Sequence, residues 1–210
     1  MHTHSILSHD GGIREEEYQH ILKKGMLDYV AITDHNTIAY AIFLRKSLGE
    51  QIIVGEEITS KEGHVIGLFL TKPVAPFLPL QETISLIKNQ GGIVYIPHPF
   101  DVYRKGIGEK HLILAKKDID VIETFNARVI FRSQNQKATQ FAEKLGIVKA
   151  AGSDAHAANG LGKTYTSVMN KITRDTLKQT LQNALLHEQY ASFFDYLSPK
   201  VNRVKKRLRY

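Results

Sequence analysis

The chain opens with Met1-His2-Thr3-His4-Ser5-Ile6-Leu7-Ser8-His9-Asp10, where potential metal ligands alternate with other residues. Residues two apart on an extended strand point to the same face, so we expect His2 and His4 to face one pocket. Asp10 follows a short turn and precedes Gly11-Gly12, where the backbone can bend sharply. Two imidazoles and a carboxylate suit Zn, Mn or Fe better than Ca or Mg. The stretch therefore predicts a transition-metal site.

The composition limits the class of protein. A chain of 210 residues fits one domain with a substantial core. It contains no cysteine, so any metal must be held by histidine and carboxylate rather than by thiolate. Its apolar runs are shorter than the roughly 20 residues that span a bilayer, and no segment resembles a signal peptide. We therefore expect a cytoplasmic protein that does not contact membranes.

The charge is unevenly distributed. The chain has 28 Lys and Arg against 21 Asp and Glu, a net charge of +7. Six basic residues fall within the last eleven positions: Lys200, Arg203, Lys205, Lys206, Arg207 and Arg209. This concentration predicts a domain over residues 1–197 followed by a basic C-terminal helix or tail over 198–210.

Amphipathic segments alternate with short apolar runs along the chain. The spacing predicts helices at residues 13–24, 37–48, 80–90, 110–117, 133–145 and 173–187. It predicts strands at 27–33, 51–59, 64–70, 93–96, 121–125, 148–151 and 164–169, with a hairpin between the second and third. Repeated strand-then-helix units imply an α/β fold with a mostly parallel sheet and outer helices. About seven such units favour a closed or distorted barrel.

Titratable residues lie at the carboxyl ends of several predicted strands. They are His2 and His4, Asp34-His35, Glu56-Glu57, His98, and Asp154 with His156. In an α/β barrel, strand ends direct such side chains into one mouth. Burying them together is costly by several kcal/mol unless they are paired or bind a metal. The pattern therefore predicts a metal site at the mouth of the barrel.

Five motifs, in this order, resemble those of the PHP (polymerase and histidinol phosphatase) family. They are His2-Thr3-His4-Ser5 through Ser8-His9-Asp10-Gly11, Ile32-Thr33-Asp34-His35-Asn36, Gly55-Glu56-Glu57-Ile58, His98-Pro99 and Gly152-Ser153-Asp154-Ala155-His156. The segment Ile122-Glu123-Thr124-Phe125-Asn126-Ala127-Arg128 resembles the one that precedes the last motif in the phosphoesterase branch. The resemblance covers Met1 to Met169.

The resemblance implies a distorted seven-stranded (β/α) barrel that hydrolyses phosphate esters with two or three divalent metals, Zn, Mn or Fe. Position by position, it implies nine metal ligands: His2, His4, Asp10, His35, Glu57, His64, His98, Asp154 and His156. Glu57 is preferred to Glu56 because the family pattern places the carboxylate two residues after a glycine. The residues expected to carry catalysis are Asp10, His35, Asp154 and Arg128.

Two acidic neighbours of these ligands are expected to have other roles. Asp34 caps the following helix or orients His35. Glu56 points to the opposite face of its strand and is structural.

The chain departs from the family pattern at two places. Met1 directly precedes His2, so the first strand is nearly absent. The segment between His64 and His98 is too short for the helical cap domain of some nucleotide phosphatases in the family. We therefore expect an open pocket.

The expected mechanism is hydrolysis by metal-activated hydroxide. Paired metals lower the pKa of a shared water from 15.7 towards about 7 and clamp the phosphoryl oxygens. Arg128 is the preferred phosphate clamp, since a guanidinium matches phosphate geometry. Arg104 and Lys163 are expected to be solvated. His9 is either a proton donor to the leaving group or an exposed loop histidine.

Three alternatives remain open at this stage: another barrel metal hydrolase such as an amidohydrolase, a catalytically silent PHP scaffold, and a nucleic-acid-binding module. The substrate is a phosphomonoester, a nucleotide or an RNA or DNA end, and the oligomeric state is open. In the tail, Val204 and Leu208 either dock on the barrel or belong to a helix whose basic face guides a polyanion.

Overall fold

The computed structural model describes residues 1–208, and its centre is a six-stranded sheet in the order β1-β2-β3-β4-β5-β6. The strands are β1 Val30–Ile32, β2 Ile52–Thr59, β3 His64–Leu68, β4 Ile93–Ile96, β5 Val121–Asn126 and β6 Val148–Gly152. The pairs β1–β2, β4–β5 and β5–β6 are parallel, whereas β3 is antiparallel to both of its neighbours. The sheet is therefore parallel-rich and contains the predicted β2–β3 hairpin.

The sheet curls so that the N-terminal segment lies between its two edge strands. Thr3 forms a parallel bridge with Ala155, just beyond β6. On its other side, the Thr33 N–H, just beyond β1, donates to the Thr3 carbonyl oxygen at 2.9 Å. The segment forms only isolated bridges, so the described residues give a half-barrel of six strands and do not confirm the predicted count of seven.

Seven α-helices surround this sheet in the described chain. They are α1 Glu15–Lys23, α2 Ala39–Leu48, α3 Leu80–Lys88, α4 Gly108–Ala115, α5 Arg132–Leu145, α6 Leu177–Leu181 and α7 Phe193–Arg207. The buried faces of α3, with Ile84 and Ile87, and of α5, with Phe141, join one apolar core with residues of the sheet. In residues 1–208, no helix has the length and apolarity required to cross a bilayer.

The predicted helix over 173–187 is wrong. Only Leu177–Leu181 is helical, and β8 Leu185–His187 pairs antiparallel with β7 Tyr165–Ser167 in a separate two-stranded sheet. The rings of Tyr165 and His187 stack at 4.1 Å. Pairing with a distant strand overrides the local helical pattern. The other predicted elements differ from the observed ones only at their ends.

The C-terminal basic segment also differs from its prediction. Residues 198–207 belong to the longer helix α7, and Arg209 and Tyr210 lie outside the described residues. Val204 and Leu208 are 55% and 81% exposed, so the expectation that they dock on the barrel is wrong. Instead, Asn202 donates from its amide nitrogen to the carbonyl oxygens of Asp10 at 3.0 Å and His156 at 2.9 Å. The helix is thus attached to the barrel mouth by polar contacts.

Candidate metal centre

The first two candidate ligands converge as strand alternation predicts. Nε2 of His2 lies 3.0 Å from Nε2 of His4, and both rings are fully buried. Nδ1 of His2 donates to Oε1 of Glu123 at 3.1 Å, which leaves its Nε2 lone pair directed towards the cluster. Oδ1 of Asp154 lies 3.6 Å from Nε2 of His2 and 3.4 Å from Nε2 of His4. Three potential ligand atoms therefore surround one small volume.

Glu57 of β2 lies at the centre of the cluster. Its Oε1 is 2.9 Å from Nδ1 of His64 and 3.1 Å from Nε2 of His98. Its Oε2 is 3.2 Å from Nδ1 of His35, 3.3 Å from Nε2 of His4 and 3.4 Å from Nε2 of His2. The parallel β1–β2 pairing brings His35, just beyond β1, to this carboxylate, and the antiparallel β2–β3 pairing brings His64. Glu57 would therefore offer both of its carboxylate oxygens to a cation held here.

A second carboxylate gathers ligands on the side towards α7. Oδ2 of Asp10 lies 3.3 Å from Nε2 of His156 and 3.6 Å from Nε2 of His35. Nδ1 of His156 donates to the carbonyl oxygen of Asp154 at 2.8 Å, so its Nε2 is free to bind a metal. Ser8 donates its hydroxyl to Oδ1 of Asp10 at 3.0 Å. This hydrogen bond leaves Oδ2 for the cluster.

The structure brings together all nine ligands that the resemblance implies. Four groups have ligand atoms within 4.8 Å of one another: His4 with Asp10, His35 and His156; His2 with Glu57 and His98; His2 with His4 and Asp154; and His35 with Glu57 and His64. The groups share members. The clusters therefore offer several overlapping sets of ligands for a divalent cation.

The electrostatics of the cluster fit bound cations. Burial by itself lowers the pKa of His2, yet the charges of Asp154, Glu123 and Glu57 raise it well above its ordinary value. Burial lowers the pKa of His156 to about 3, with the charges of His4 and Arg128 acting in the same direction, so this ring is neutral and can ligate. A raised pKa lets the His2 ring carry a positive charge opposite these buried carboxylates, and a bound cation can supply that charge in place of the proton. The donor set, nitrogen and carboxylate oxygen without thiolate, suits divalent transition metals.

Two candidate ligands also sit in an uncommon backbone conformation. His98 and Asp154 have φ angles of +29° and +50°. Residues with a side chain adopt positive φ infrequently, and such strain concentrates at functional sites.

Glu123 is a supporting residue to which sequence reasoning gave no role. Besides His2, its carboxylate accepts from the Tyr95 hydroxyl at 2.9 Å, the His98 N–H at 2.7 Å and Nδ2 of Asn126 at 2.8 Å. A Cβ on Gly152 would lie 1.8 Å from Oε1 of Glu123, so only glycine makes room for this carboxylate. In the sequence, Glu123 could have been identified by its position on β5, within the segment that resembles the family.

The two acidic neighbours have structural contacts. Asp34 accepts hydrogen bonds from the backbone N–H of Ser5, at 2.6 Å, and from the Ser5 hydroxyl. Its predicted role as a helix cap is wrong, because α2 begins after Ile38 and that residue makes no side-chain cap. Glu56 faces away from the ligands, as predicted, and its Oε2 accepts from the Val74 N–H at 2.8 Å.

The basic residues near the centre differ in their contacts. Arg128 lines the cavity, its NH1 lies 3.6 Å from Oδ1 of Asp154, and its buried Nε has no hydrogen-bond partner among the described residues. The expectation that Arg104 and Lys163 are solvated is wrong. Arg104 forms ion pairs with Asp154 and Asp101 and is largely buried. These ion pairs fix the loop after β4. Lys163 pairs with Asp195 of α7 at 3.1 Å.

Seven of the nine candidate ligands, all except His2 and His4, line one cavity of about 390 Å³. The wall includes His9, whose side chain is 60% exposed and whose Nε2 lies 3.8 Å from Oδ2 of Asp10. Tyr196, Pro199, Lys200 and Arg203 of α7 form another part of the wall. The cavity therefore combines the candidate ligands with a basic helix.

Comparisons with known proteins agree with this geometry. A family model described as PHP-associated matches residues 132–185. The chain is 35% identical over 173 residues to the uncharacterised protein MJ0417 of Methanocaldococcus jannaschii, covering 79% of this chain and 68% of that protein.

Two solved structures share the fold. One is a two-domain protein of Bacteroides vulgatus containing a predicted PHP-like metal-dependent phosphoesterase. The TM-score is 0.71 with 20% identity over 96% of this chain and 68% of that one. The other is an amidohydrolase of Chromobacterium violaceum, with a TM-score of 0.63 and 16% identity over 88% of this chain and 96% of that one. With its ordered motifs, its fold and these relatives, the chain belongs to the PHP (polymerase and histidinol phosphatase) domain family.

Proposed function

We propose that the protein is a metal-dependent phosphoesterase that hydrolyses a phosphate ester. The observation that carries this proposal is the set of four overlapping ligand groups, two of which share Glu57, at a cavity that Arg128 also lines. Divalent metals supply Lewis-acid chemistry that activates water and neutralises charge on the phosphoryl group. Two or three ions of Zn, Mn or Fe, held by the nine ligands named above, meet this requirement.

The residues of the chain have distinct roles in this reaction. Glu57 and Asp154 would supply negative charge to the bound cations, and the imidazoles would ligate them without adding negative charge. Arg128 donates to a phosphoryl oxygen and orients the ester for in-line attack. Water attacks phosphorus and loses a proton, the P–O bond to the ester breaks, and the leaving oxygen takes a proton, so the products are an alcohol and a phosphate. His9, at the edge of the cavity, is the candidate donor of that proton.

The alternatives have weaker support. A silent scaffold would not need nine clustered and largely buried ligands, since each polar side chain in a core carries a desolvation penalty. An amidohydrolase-like reaction, suggested by the description of the Chromobacterium violaceum protein, would use the same metals on an amide or ester carbonyl. Substrate tests separate that reaction from phosphate-ester hydrolysis.

The test combines metal analysis with hydrolysis assays. Metal-replete protein should contain at least two transition-metal ions per chain and hydrolyse a phosphomonoester such as p-nitrophenyl phosphate. His35→Ala and Asp154→Ala should each abolish hydrolysis while the circular dichroism spectrum is retained. His20→Ala, at an exposed position on α1, is the matched control and should behave as wild type.

Two results would overturn the proposal. One is less than one metal per chain after loading with Zn, Mn and Fe in turn. The other is equal phosphatase activity in the His35, Asp154 and His20 variants, because hydrolysis would then not depend on the cluster.

A further inference from the structure

One face of helix α7 borders the cavity of the candidate metal centre. Tyr196, Pro199, Lys200 and Arg203 line this cavity. Residues three and four apart lie on the same side of a helix, so these four form one continuous face. Lys205 and Arg207 belong to the same helix but do not line the cavity. The helix therefore presents two of its basic residues to the site and directs others elsewhere.

Polar contacts fix the position of this face. Asn202 joins α7 to the carbonyl oxygens of Asp10 and His156, as described above. Lys206 donates to the carbonyl oxygens of Ile6, at 2.6 Å, and Ser8. Because these contacts reach the loops that carry candidate ligands, Lys200 and Arg203 are held at a set position relative to the metal centre.

A third basic residue comes from the loop after β4. Lys105 lines the same cavity, and its carbonyl oxygen accepts from the His64 N–H at 2.8 Å. The neighbouring Arg104 is anchored by Asp101 and Asp154. The backbone of Lys105 is therefore fixed on both sides.

Among residues 1–208, no carboxylate pairs with the three outer cations. Within residues 1–208, Lys105, Lys200 and Arg203 take part in no ion pair, whereas Arg104 and Arg128 both approach Asp154. The cavity is lined by five Lys and Arg against the three carboxylates Asp10, Glu57 and Asp154. Those carboxylates are all candidate metal ligands, so bound cations make the cavity still more positive. Unpaired cations at the mouth of a cleft attract and hold anions.

We propose that Lys105, Lys200 and Arg203 form a distal anion subsite that binds a second phosphate of the substrate, away from the scissile one. This inference rests on the proposed function and narrows its substrate class to esters with at least two phosphates. A phosphorylated chain end and a small bisphosphate both carry this chemistry. A compact monophosphate does not engage the subsite.

The test compares two double variants of α7 that remove the same charge. Lys200→Gln with Arg203→Gln changes the face that lines the cavity, and Lys205→Gln with Arg207→Gln changes the face that does not. The substrates are a 5′-phosphorylated trinucleotide, fructose 1,6-bisphosphate and p-nitrophenyl phosphate, which has a single phosphate. Loss of one charge-assisted contact corresponds to about a tenfold change in affinity. We therefore expect the first variant to raise KM at least tenfold more for a two-phosphate substrate than for p-nitrophenyl phosphate, and the second to show no such difference.

A binding measurement gives a second readout that does not require turnover. Fluorescence anisotropy with a labelled trinucleotide ending in a non-hydrolysable phosphonate should show weaker binding for the Lys200/Arg203 variant than for the Lys205/Arg207 variant. A response with the trinucleotide alone identifies a chain end as the ligand, and a response with fructose 1,6-bisphosphate alone identifies a small bisphosphate.

Three results would overturn the subsite. One is an equal effect of both variants, which would indicate general surface charge. Another is an equal rise in KM for one-phosphate and two-phosphate substrates. The third is equal trinucleotide anisotropy for the two variants when fructose 1,6-bisphosphate also shows no selective rise in KM. Absence of hydrolysis by the metal-replete wild type on all three substrates would instead refute the proposed function, and the anisotropy difference would still decide on the subsite.

Discussion

The carboxylate of Glu123 accepts a hydrogen bond from Nδ1 of His2 across 121 positions of sequence. This contact selects the tautomer in which Nε2 of His2 carries the free lone pair. The same carboxylate accepts from the His98 N–H, so it supports two candidate ligands of the cluster. Such outer partners tune the affinity of a metal site without touching the metal.

Replacing Glu123 should therefore weaken metal binding. In Glu123→Gln, the new amide N–H₂ faces groups that themselves donate, including the His98 N–H and Nδ2 of Asn126. We expect a loss of about 10- to 100-fold in affinity for Zn or Mn by calorimetric titration. Glu56→Gln is the control, because Glu56 lies on the opposite face of β2 from the ligands. Equal affinities in the two variants would show that Glu123 does not support the site.

Asn202 should stabilise both the fold and the ligand loops. Asn202→Ala removes two hydrogen bonds that join α7 to the backbones of Asp10 and His156. Each hydrogen bond contributes about 0.5–1.5 kcal/mol to stability. We therefore expect the free energy of unfolding, measured by urea denaturation, to fall by about 1–3 kcal/mol. The control Asn170→Ala, at an exposed position, should unfold at the same urea concentration as wild type. A wild-type midpoint for Asn202→Ala would mean that α7 is held by other contacts.

Arg128 should act on substrate rather than on metal. Arg128→Ala removes a guanidinium whose buried Nε has no partner among the described residues, so we expect kcat/KM to fall by about 10- to 100-fold, as for the loss of one or two charge-assisted hydrogen bonds. Metal content by elemental analysis should be unchanged. Arg132→Ala, whose guanidinium lies over the Tyr190 ring at 4.7 Å, is the matched control. Unaltered kcat/KM in Arg128→Ala would place the phosphate clamp elsewhere.

Glu56 should make stability depend on pH. Burial raises the pKa of Glu56 from its ordinary value of 4.5 to about 7, while the hydrogen bond from the Val74 N–H opposes this shift. Between these values the folded chain binds a proton that the unfolded chain has lost, so the stability contribution is present at low pH and is lost as the pH rises through 7. Glu56→Gln removes the effect and can still accept from Val74.

We therefore expect Glu56→Gln to gain stability relative to wild type between pH 5 and pH 8, by on the order of 3 kcal/mol. The measurement is denaturant unfolding at both pH values in the same metal-containing buffer. Glu82→Gln, exposed on α3, should show no pH-dependent difference. A constant difference between Glu56→Gln and wild type at pH 5 and 8 would contradict the assignment.

Local sequence was sufficient for those features that depend on neighbouring residues. Alternation placed His2 and His4 on one side, and Gly91 and Gly146 marked the ends of helices near α3 and α5. The titratable residues at strand ends pointed to one mouth, because parallel strands bring their carboxyl ends to a common edge.

Tertiary structure decided the features that depend on distant partners. Glu123 joins the site through contacts with residues far away in sequence, which no local pattern encodes. Residues 185–187 form a strand because they pair with β7, although their surroundings favour a helix. The apolar side chains Val204 and Leu208 remain exposed, because α7 is attached through the polar groups of Asn202 and Lys206. The sequence by itself determined which residues could bind metal. The packing of α7 decided which basic residues face those ligands, because hydrogen bonds to loop carbonyl oxygens orient the helix.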